Sequence, residues 1–107
     1  MIVARHVSPD GILTLLTDVE DDDWMVGFEG TEWHTHGDLL MAYGHSSPQL
    51  AVEAFVDEIL KCTRVIAVER QNDAITGIWV TDDPARELAD SGKAVELRYW
   101  DGTPYTS

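Results

Sequence analysis

The stretch SPQLAVEAFVDEIL, residues 47–60, decides the fold because it contains the clearest helix in the chain. Its apolar residues recur at i, i+3, i+4 and i+7, which places their side chains on one helix face. These residues are Val52, Phe55, Val56 and Ile59. Ser47 is suited to cap the first turn and Pro48 to occupy it, and Asp57 with Lys61 makes a favourable acid-before-base pair. The pattern predicts one amphipathic helix with a single buried stripe.

Runs of β-forming residues lie on both sides of this helix. They are residues 2–7, 12–17 and 24–30 before it, and residues 64–70, 74–81 and 93–100 after it. The turn-forming cluster SPDG lies between the first two runs, and QND lies between residues 64–70 and 74–81. Each pair of runs is therefore predicted to form a hairpin. The order β-β-β-α-β-β-β predicts an α+β fold: an antiparallel or mixed sheet of about six strands, with one main helix packed on one face.

Alternation within the strands predicts which side chains are buried. Trp24, Val26 and Phe28 share one face of their strand and are expected in the core. The run from Val65 to Val68 is apolar on both faces, which is typical of a central strand. A short helical turn from Pro84 to Asp90 is expected to end at Ser91 and Gly92.

The last strand alternates apolar with polar residues, which predicts one face that contacts water. Val95, Leu97 and Tyr99 occupy one side, and Glu96, Arg98 and Trp100 the other. A single helix leaves one sheet face uncovered, where we expect Trp100, with Trp33 or Trp79 as further candidates. Such an open aromatic face would be a docking surface.

The composition indicates a small acidic protein. Twenty acidic and seven basic residues give a formal net charge of −13, and the N-terminal third is the most negative part. Nucleic acid binding is disfavoured, because it requires clustered Lys and Arg to displace counterions. The length of 107 residues predicts a single domain, residues 1–107. Cys62 is the only cysteine and no run is apolar enough for a membrane span, so we expect a cytoplasmic protein.

The acidic segment before the third strand is the strongest interaction candidate. It consists of Asp18, Glu20, Asp21, Asp22 and Asp23, followed by the aromatic residue Trp24. Clustered charge accelerates the encounter with a basic partner, and an aromatic side chain supplies a binding hot spot. We expect Trp33 to contribute to the same partner surface. The alternative is a solvated turn between two strands.

The stretch WHTHGD, residues 33–38, is a candidate metal site. If it is extended, His34, His36 and Asp38 point to one side of the strand. Two imidazoles in this arrangement can bind one zinc ion, with Asp38 or His45 as the third protein ligand. This is the alternative of a small metal-binding protein or hydrolase. The other interpretation is that the rings serve packing and hydrogen bonding, with no cofactor.

Small size, strong acidity, a single domain and no assembled active site resemble the bacterial immunity proteins of contact-dependent and polymorphic toxin systems. The resemblance covers the whole chain in general architecture and carries no site residues with it. It implies a non-catalytic protein that occludes the basic cleft of a toxin or nuclease. Asp21, Asp22, Asp23 and Trp24 are the expected contacts. Trp33, His34, His36 and Asp38 form a candidate second edge.

A third class of function remains open for this sequence. Exposed sheet edges or an uncovered sheet face would also suit a self-associating structural subunit, such as a homodimer.

Overall fold

The computed structural model describes residues 1–89 and 95–106, which form an α+β fold. The strands are β1 (Ile2–Val7), β2 (Thr14–Glu20), β3 (Asp23–Phe28), β4 (His34–His36), β5 (Val65–Gln71), β6 (Ala74–Thr81) and β7 (Val95–Arg98). The helices are α1 (Gly37–Leu40), α2 (Pro48–Leu60) and α3 (Pro84–Ala89), with a 3₁₀ turn at Met41–Tyr43 between α1 and α2. The α+β class predicted from the sequence is confirmed.

The strands form two antiparallel sheets, where the sequence predicted about six strands in one sheet. The four-stranded sheet has the order β1-β2-β3-β4, and the three-stranded sheet has the order β6-β5-β7. The additional strand is β4, which pairs with β3 through residues 34–36. Helices α1 and α2 lie between β4 and β5 in the chain, and β5 belongs to the second sheet.

Helix α2 has the predicted cap and the predicted buried face. The Ser47 hydroxyl accepts a hydrogen bond from the Leu50 backbone N–H at 3.2 Å, and Pro48 lies in the first turn. The predicted apolar stripe is buried along its whole length. On the solvent side, Asp57 and Lys61 form an ion pair at 2.8 Å. This pair raises the pKa of Lys61, chiefly through the hydrogen bond to Asp57.

The main core lies between the two sheets and α2. It contains Leu13, Leu15, Val26, Phe28, Val52, Phe55, Ile59, Ile66, Val68, Ile78 and Trp100, among others. Val26 and Phe28 are buried as predicted, and Trp24 packs against the same core. Strand β5 is central, and its Val65–Val68 run is buried on both faces.

The prediction for the last strand was wrong in one respect: Trp100 is not on an open face. It is 5 % exposed and belongs to the main core, and Arg98 is also buried. The other face of the three-stranded sheet is partly covered, because the Trp79 indole N–H donates to Glu87 of α3 at 3.1 Å. The backbone N–H of Tyr105 also donates to the Leu97 carbonyl at 3.0 Å, which brings the C-terminal segment back onto β7.

The predicted end of the short helix at Asp90, Ser91 and Gly92, and the start of the last strand at Lys93, lie outside the described residues. Within residues 1–89 and 95–106, none of the helices has the length and apolar content needed to cross a lipid bilayer.

Candidate functional site

The acidic segment forms a β-hairpin. Asp18 and Glu20 lie on β2, Asp23 opens β3, and Asp21 with Asp22 makes the two-residue turn between them. Both turn residues have positive φ, 48° and 65°, as a type I′ hairpin turn requires. The hairpin therefore distributes the five carboxylates along two strands and a tip.

The carboxylates of this hairpin differ in their partners. The Met1 amino group donates to Asp18 Oδ1 at 2.9 Å and to Glu20, and these hydrogen bonds raise the pKa of the amino group, that to Glu20 most. Asp23 lies beside His36. Within the described part of the chain, the Asp21 and Asp22 side chains form no ion pair, so the tip presents unneutralised charge.

Trp24 lies on the other side of β3 from Asp23, because successive side chains of a strand alternate between its faces. It packs against the core, half-buried between β1 and α2. Trp24 is therefore not the aromatic neighbour of the acidic tip that the sequence suggested. Trp33 packs against Phe28, with ring centroids 5.9 Å apart.

The two histidines of β4 share a face but have different polar neighbours. Their ring centroids lie 5.0 Å apart in an edge-to-face arrangement. His34 Nδ1 is 3.0 Å from the Glu32 carbonyl oxygen, whereas His36 Nδ1 is 3.1 Å from Asp23 Oδ1. His36 is therefore directed towards the acidic hairpin, and His34 towards the loop that precedes β4.

Asp38 reaches His36 through a helix instead of through an extended strand. Strand β4 ends at His36, and Asp38 lies in the first turn of α1. One ligand atom each from Asp23, His36 and Asp38 lie within 4.8 Å of one another. The structure thus brings together two of the four predicted metal ligands and adds Asp23, which the sequence assigned to partner binding.

An open depression unites this group with the hairpin tip. It has a volume of about 530 Å³ and is lined by Asp21, Asp22, Asp23, His36, Asp38, Leu39 and Pro48. We call it the acidic depression. The sequence contained no signal for Leu39 and Pro48, because their positions depend on how α1 packs against α2.

Gly37 makes that packing possible. A Cβ atom at this position would lie 2.6 Å from the Pro48 carbonyl oxygen and 2.8 Å from the Pro48 Cβ atom. Only a residue without a side chain lets the start of α1 approach the start of α2 this closely. Gly37 therefore fixes where Asp38 and Leu39 stand relative to the hairpin.

Leu39 connects the acidic depression to a smaller aromatic crevice. Its side chain is 64 % exposed and also lines a cavity of about 140 Å³ together with Trp33, Tyr43 and Arg64. The Arg64 Cζ atom lies 5.6 Å from the Tyr43 ring centroid. We call this cavity the aromatic crevice. Charge and apolar surface therefore meet at Leu39.

The Arg64 guanidinium in the aromatic crevice is neutralised. It forms ion pairs with Glu58 at 2.8 Å and with Asp82 at 3.2 Å. His45 lines an adjoining cavity of about 230 Å³ beside Tyr43 and Arg64. It is not among the residues that line the acidic depression, so the structure does not place it with His36 and Asp38.

Comparison of the chain with protein-family models, with curated proteins and with solved structures found no match.

Proposed function

We propose that this protein is a non-catalytic binding module that accepts a basic group of a protein partner in the acidic depression. The observation that carries the proposal is the convergence of four carboxylates, from the β2–β3 tip and from α1, beside the exposed side chain of Leu39. A Lys or Arg side chain of the partner supplies the opposite charge.

Charge and apolar contact have separate roles in this proposal. The net charge of −13 and the carboxylates at the tip accelerate the encounter with a basic surface. Leu39 and Tyr43 are exposed and supply the apolar contact that charge alone does not provide. An aromatic anchor remains part of the proposal, but it is Tyr43 of the aromatic crevice that takes the place of Trp24.

The proposal includes an immunity-type role, in which the acidic depression occludes the basic cleft of a toxin or nuclease. The proposal places the protein in the cytoplasm. The chain has a single cysteine and cannot form the internal disulfides that are typical of proteins in oxidising compartments.

The test uses two matched single substitutions and an arginine-rich synthetic peptide as the probe. Asp22 and Asp73 each occupy the second position of a two-residue hairpin turn, with φ of 65° and 67°. Asp22→Asn should raise the dissociation constant of the peptide about threefold, through loss of one close charge pair. Asp73→Asn removes the same charge at a turn of the other sheet, which does not line the acidic depression, and should have little effect. Equal effects of the two substitutions would contradict the proposal, because only net charge would then matter.

A second candidate function is binding of a divalent metal ion by Asp23, His36 and Asp38. It is favoured by the mixed nitrogen and oxygen donors within 4.8 Å of one another. Tetrahedral zinc requires donor atoms about 3.4 Å apart, so binding would draw the three side chains closer together. Three protein ligands would leave a fourth position for water, which is the arrangement a hydrolase uses.

Calorimetric titration with zinc chloride distinguishes this candidate. His36→Ala should abolish binding, whereas His34→Ala should retain it, because His34 lies outside the group of three. Zinc should also displace the arginine-rich peptide if both occupy the acidic depression. No heat from the wild-type protein, or equal loss in both variants, would exclude the metal site.

A further inference from the structure

Strand β1 is the terminal strand of the four-stranded sheet, and its outer edge is free of pairing within the described part of the chain. On its inner side, the Ser8 backbone N–H donates to the Leu13 carbonyl at 2.8 Å. Backbone groups alternate in direction along an antiparallel strand. The N–H and C=O groups of Arg5 and Val7 therefore point away from β2.

The free edge of β1 has little of the protection that edge strands usually carry. Ile2, Val3 and Val7 are exposed apolar residues on this strand. Proteins commonly block such edges with charged side chains or bulges. Here the Arg5 guanidinium is engaged by Glu29 at 3.1 Å, and the register shift between Ile2 and Ala4 leaves the part from Ala4 to Val7 regular.

A groove lies between β1 and helix α2, directly beside this edge. It has a volume of about 330 Å³, and its apolar walls include Val3, Ala4, Trp24 and Val52. Glu53 of α2 also lines it and provides a negative charge. A cavity of roughly 150 Å³ is enough for a benzene-sized group, so the groove has room for more than one apolar side chain.

We propose that an extended segment of a partner protein adds to β1 as a fifth strand of the sheet. Its backbone pairs with Arg5 and Val7, its alternate apolar side chains enter the groove, and its basic side chains, on the opposite face of the added strand, are attracted by the net negative charge of the protein. Strand addition of this kind combines affinity from main-chain hydrogen bonds with specificity from side-chain pockets.

The charge of the protein favours a basic segment over a second copy of the chain. Each copy carries a net charge of −13, so two copies repel one another, whereas a basic segment is attracted. The groove shares no lining residue with the acidic depression. The inference therefore goes beyond the proposed function and stands or falls separately from it.

The first experiment uses synthetic peptides in which valine and lysine alternate over eight residues, with both ends capped. Two further versions carry N-methyl groups on every second amide, one in each phase. All three peptides have the same charge. In one methylated version the methyl groups replace the N–H hydrogens that would face β1, so this version cannot pair with the strand. That version should bind at least tenfold more weakly than the parent peptide, while the other retains binding.

The second experiment uses variants of the protein. Val7→Pro removes an outward N–H, and edge strands tolerate this substitution. It should weaken binding of the parent peptide about fivefold. Val3→Gln makes the groove polar and should weaken binding of the parent peptide to a similar extent. Ile12→Gln is the control, because Ile12 is 43 % exposed, close to the 45 % of Val3, and does not line the groove. Thermal unfolding verifies that each variant is folded.

Three outcomes would overturn the inference. Equal binding of both methylated versions would show that only charge matters, and no saturable binding up to about 1 mM would show that the edge is closed. A dimer in sedimentation that Val7→Pro dissociates would show that the occupant is a second copy. Asp22→Asn should leave peptide pairing at β1 intact, so failure here differs from failure of the proposed function.

Discussion

At the scale of single residues, the buried Arg98 links the first turn of the chain to its last strand. It is 2 % exposed, and its guanidinium donates to Asp10 Oδ2 at 2.6 Å and to the carbonyl oxygens of Tyr99 and Trp100, each at 3.0 Å. The hydrogen bond from Arg98 is the main reason that the pKa of Asp10 falls from 3.8 to about 2. The carboxylate form of Asp10 is thus part of the folded structure.

Asp10→Asn should lower the free energy of unfolding by about 3 kcal/mol at neutral pH, because it leaves a buried guanidinium without its counter-ion. The pKa of Asp10 is lower in the folded state, so the unfolded state binds more protons between pH 3.8 and 2. The contribution is present above that range and is lost as the pH falls through it. Chemical denaturation of both proteins should show the difference shrinking towards pH 2. A difference that stays constant down to pH 2 would contradict this assignment.

At the scale of elements, the β2–β3 turn combines strain with charge. Asp21 and Asp22 both have positive φ, where Asn-Gly is the favoured pair. The double substitution Asp21→Asn/Asp22→Gly should raise the free energy of unfolding by about 1 kcal/mol. It should also weaken binding of the arginine-rich peptide, because it removes both charges of the tip. Asp73→Gly, at the matching place in the β5–β6 turn, should stabilise the fold without weakening binding of the peptide. Equal weakening of binding by both sets of substitutions would indicate a general charge effect.

The contact between α1 and α2 provides a second prediction for an element. Gly37→Ala places a methyl group against the Pro48 carbonyl oxygen, so one helix must shift. We expect a loss of about 2 kcal/mol in the free energy of unfolding. Asp38 should also move relative to His36, which altered NMR chemical shifts of the His36 ring would detect. Unchanged chemical shifts of the His36 ring would show that α1 does not set this geometry. Gly77→Ala serves as the control for the loss of a glycine, because Gly77, like Gly37, lacks a positive φ and the nearest atom to a Cβ there is a ring carbon of Trp79 at 3.2 Å instead of backbone.

At the scale of the whole molecule, the net charge of −13 acts on stability and on association in opposite directions. Self-repulsion destabilises the compact state, and salt screens it. Raising sodium chloride from about 10 mM to about 500 mM should therefore increase the free energy of unfolding, while it slows association with the arginine-rich peptide. Denaturation and stopped-flow binding at several salt concentrations measure the two effects. A rise in stability with an equal concentration of a neutral osmolyte would point to solvent exclusion instead of screening.

Several elements were predictable from the sequence because their signals are local. The stripe and cap of α2 lie within fourteen consecutive residues, 47–60, and the QND cluster marks the β5–β6 turn. The apolar run Val65–Val68 also identified the central strand correctly. Strand lengths were less accurate: the predicted run ends at residue 17, whereas β2 continues to Glu20, so most of the acidic segment is strand. A charged strand with one face in water has no apolar alternation to mark its end.

What the sequence by itself determined is the α+β class, the helix α2, the hairpins and the negative charge, since these follow from residue spacing and composition. The tertiary structure alone decided that the strands divide into two sheets and that Trp100 and Arg98 lie inside. It also decided that Asp23 meets His36, because that contact requires β3 to pair with β4 across thirteen residues of chain. The acidic depression depends on this pairing and on the close approach of α1 to α2 at Gly37. Contacts between distant residues are selected by the packing of the whole core, and no local pattern encodes them.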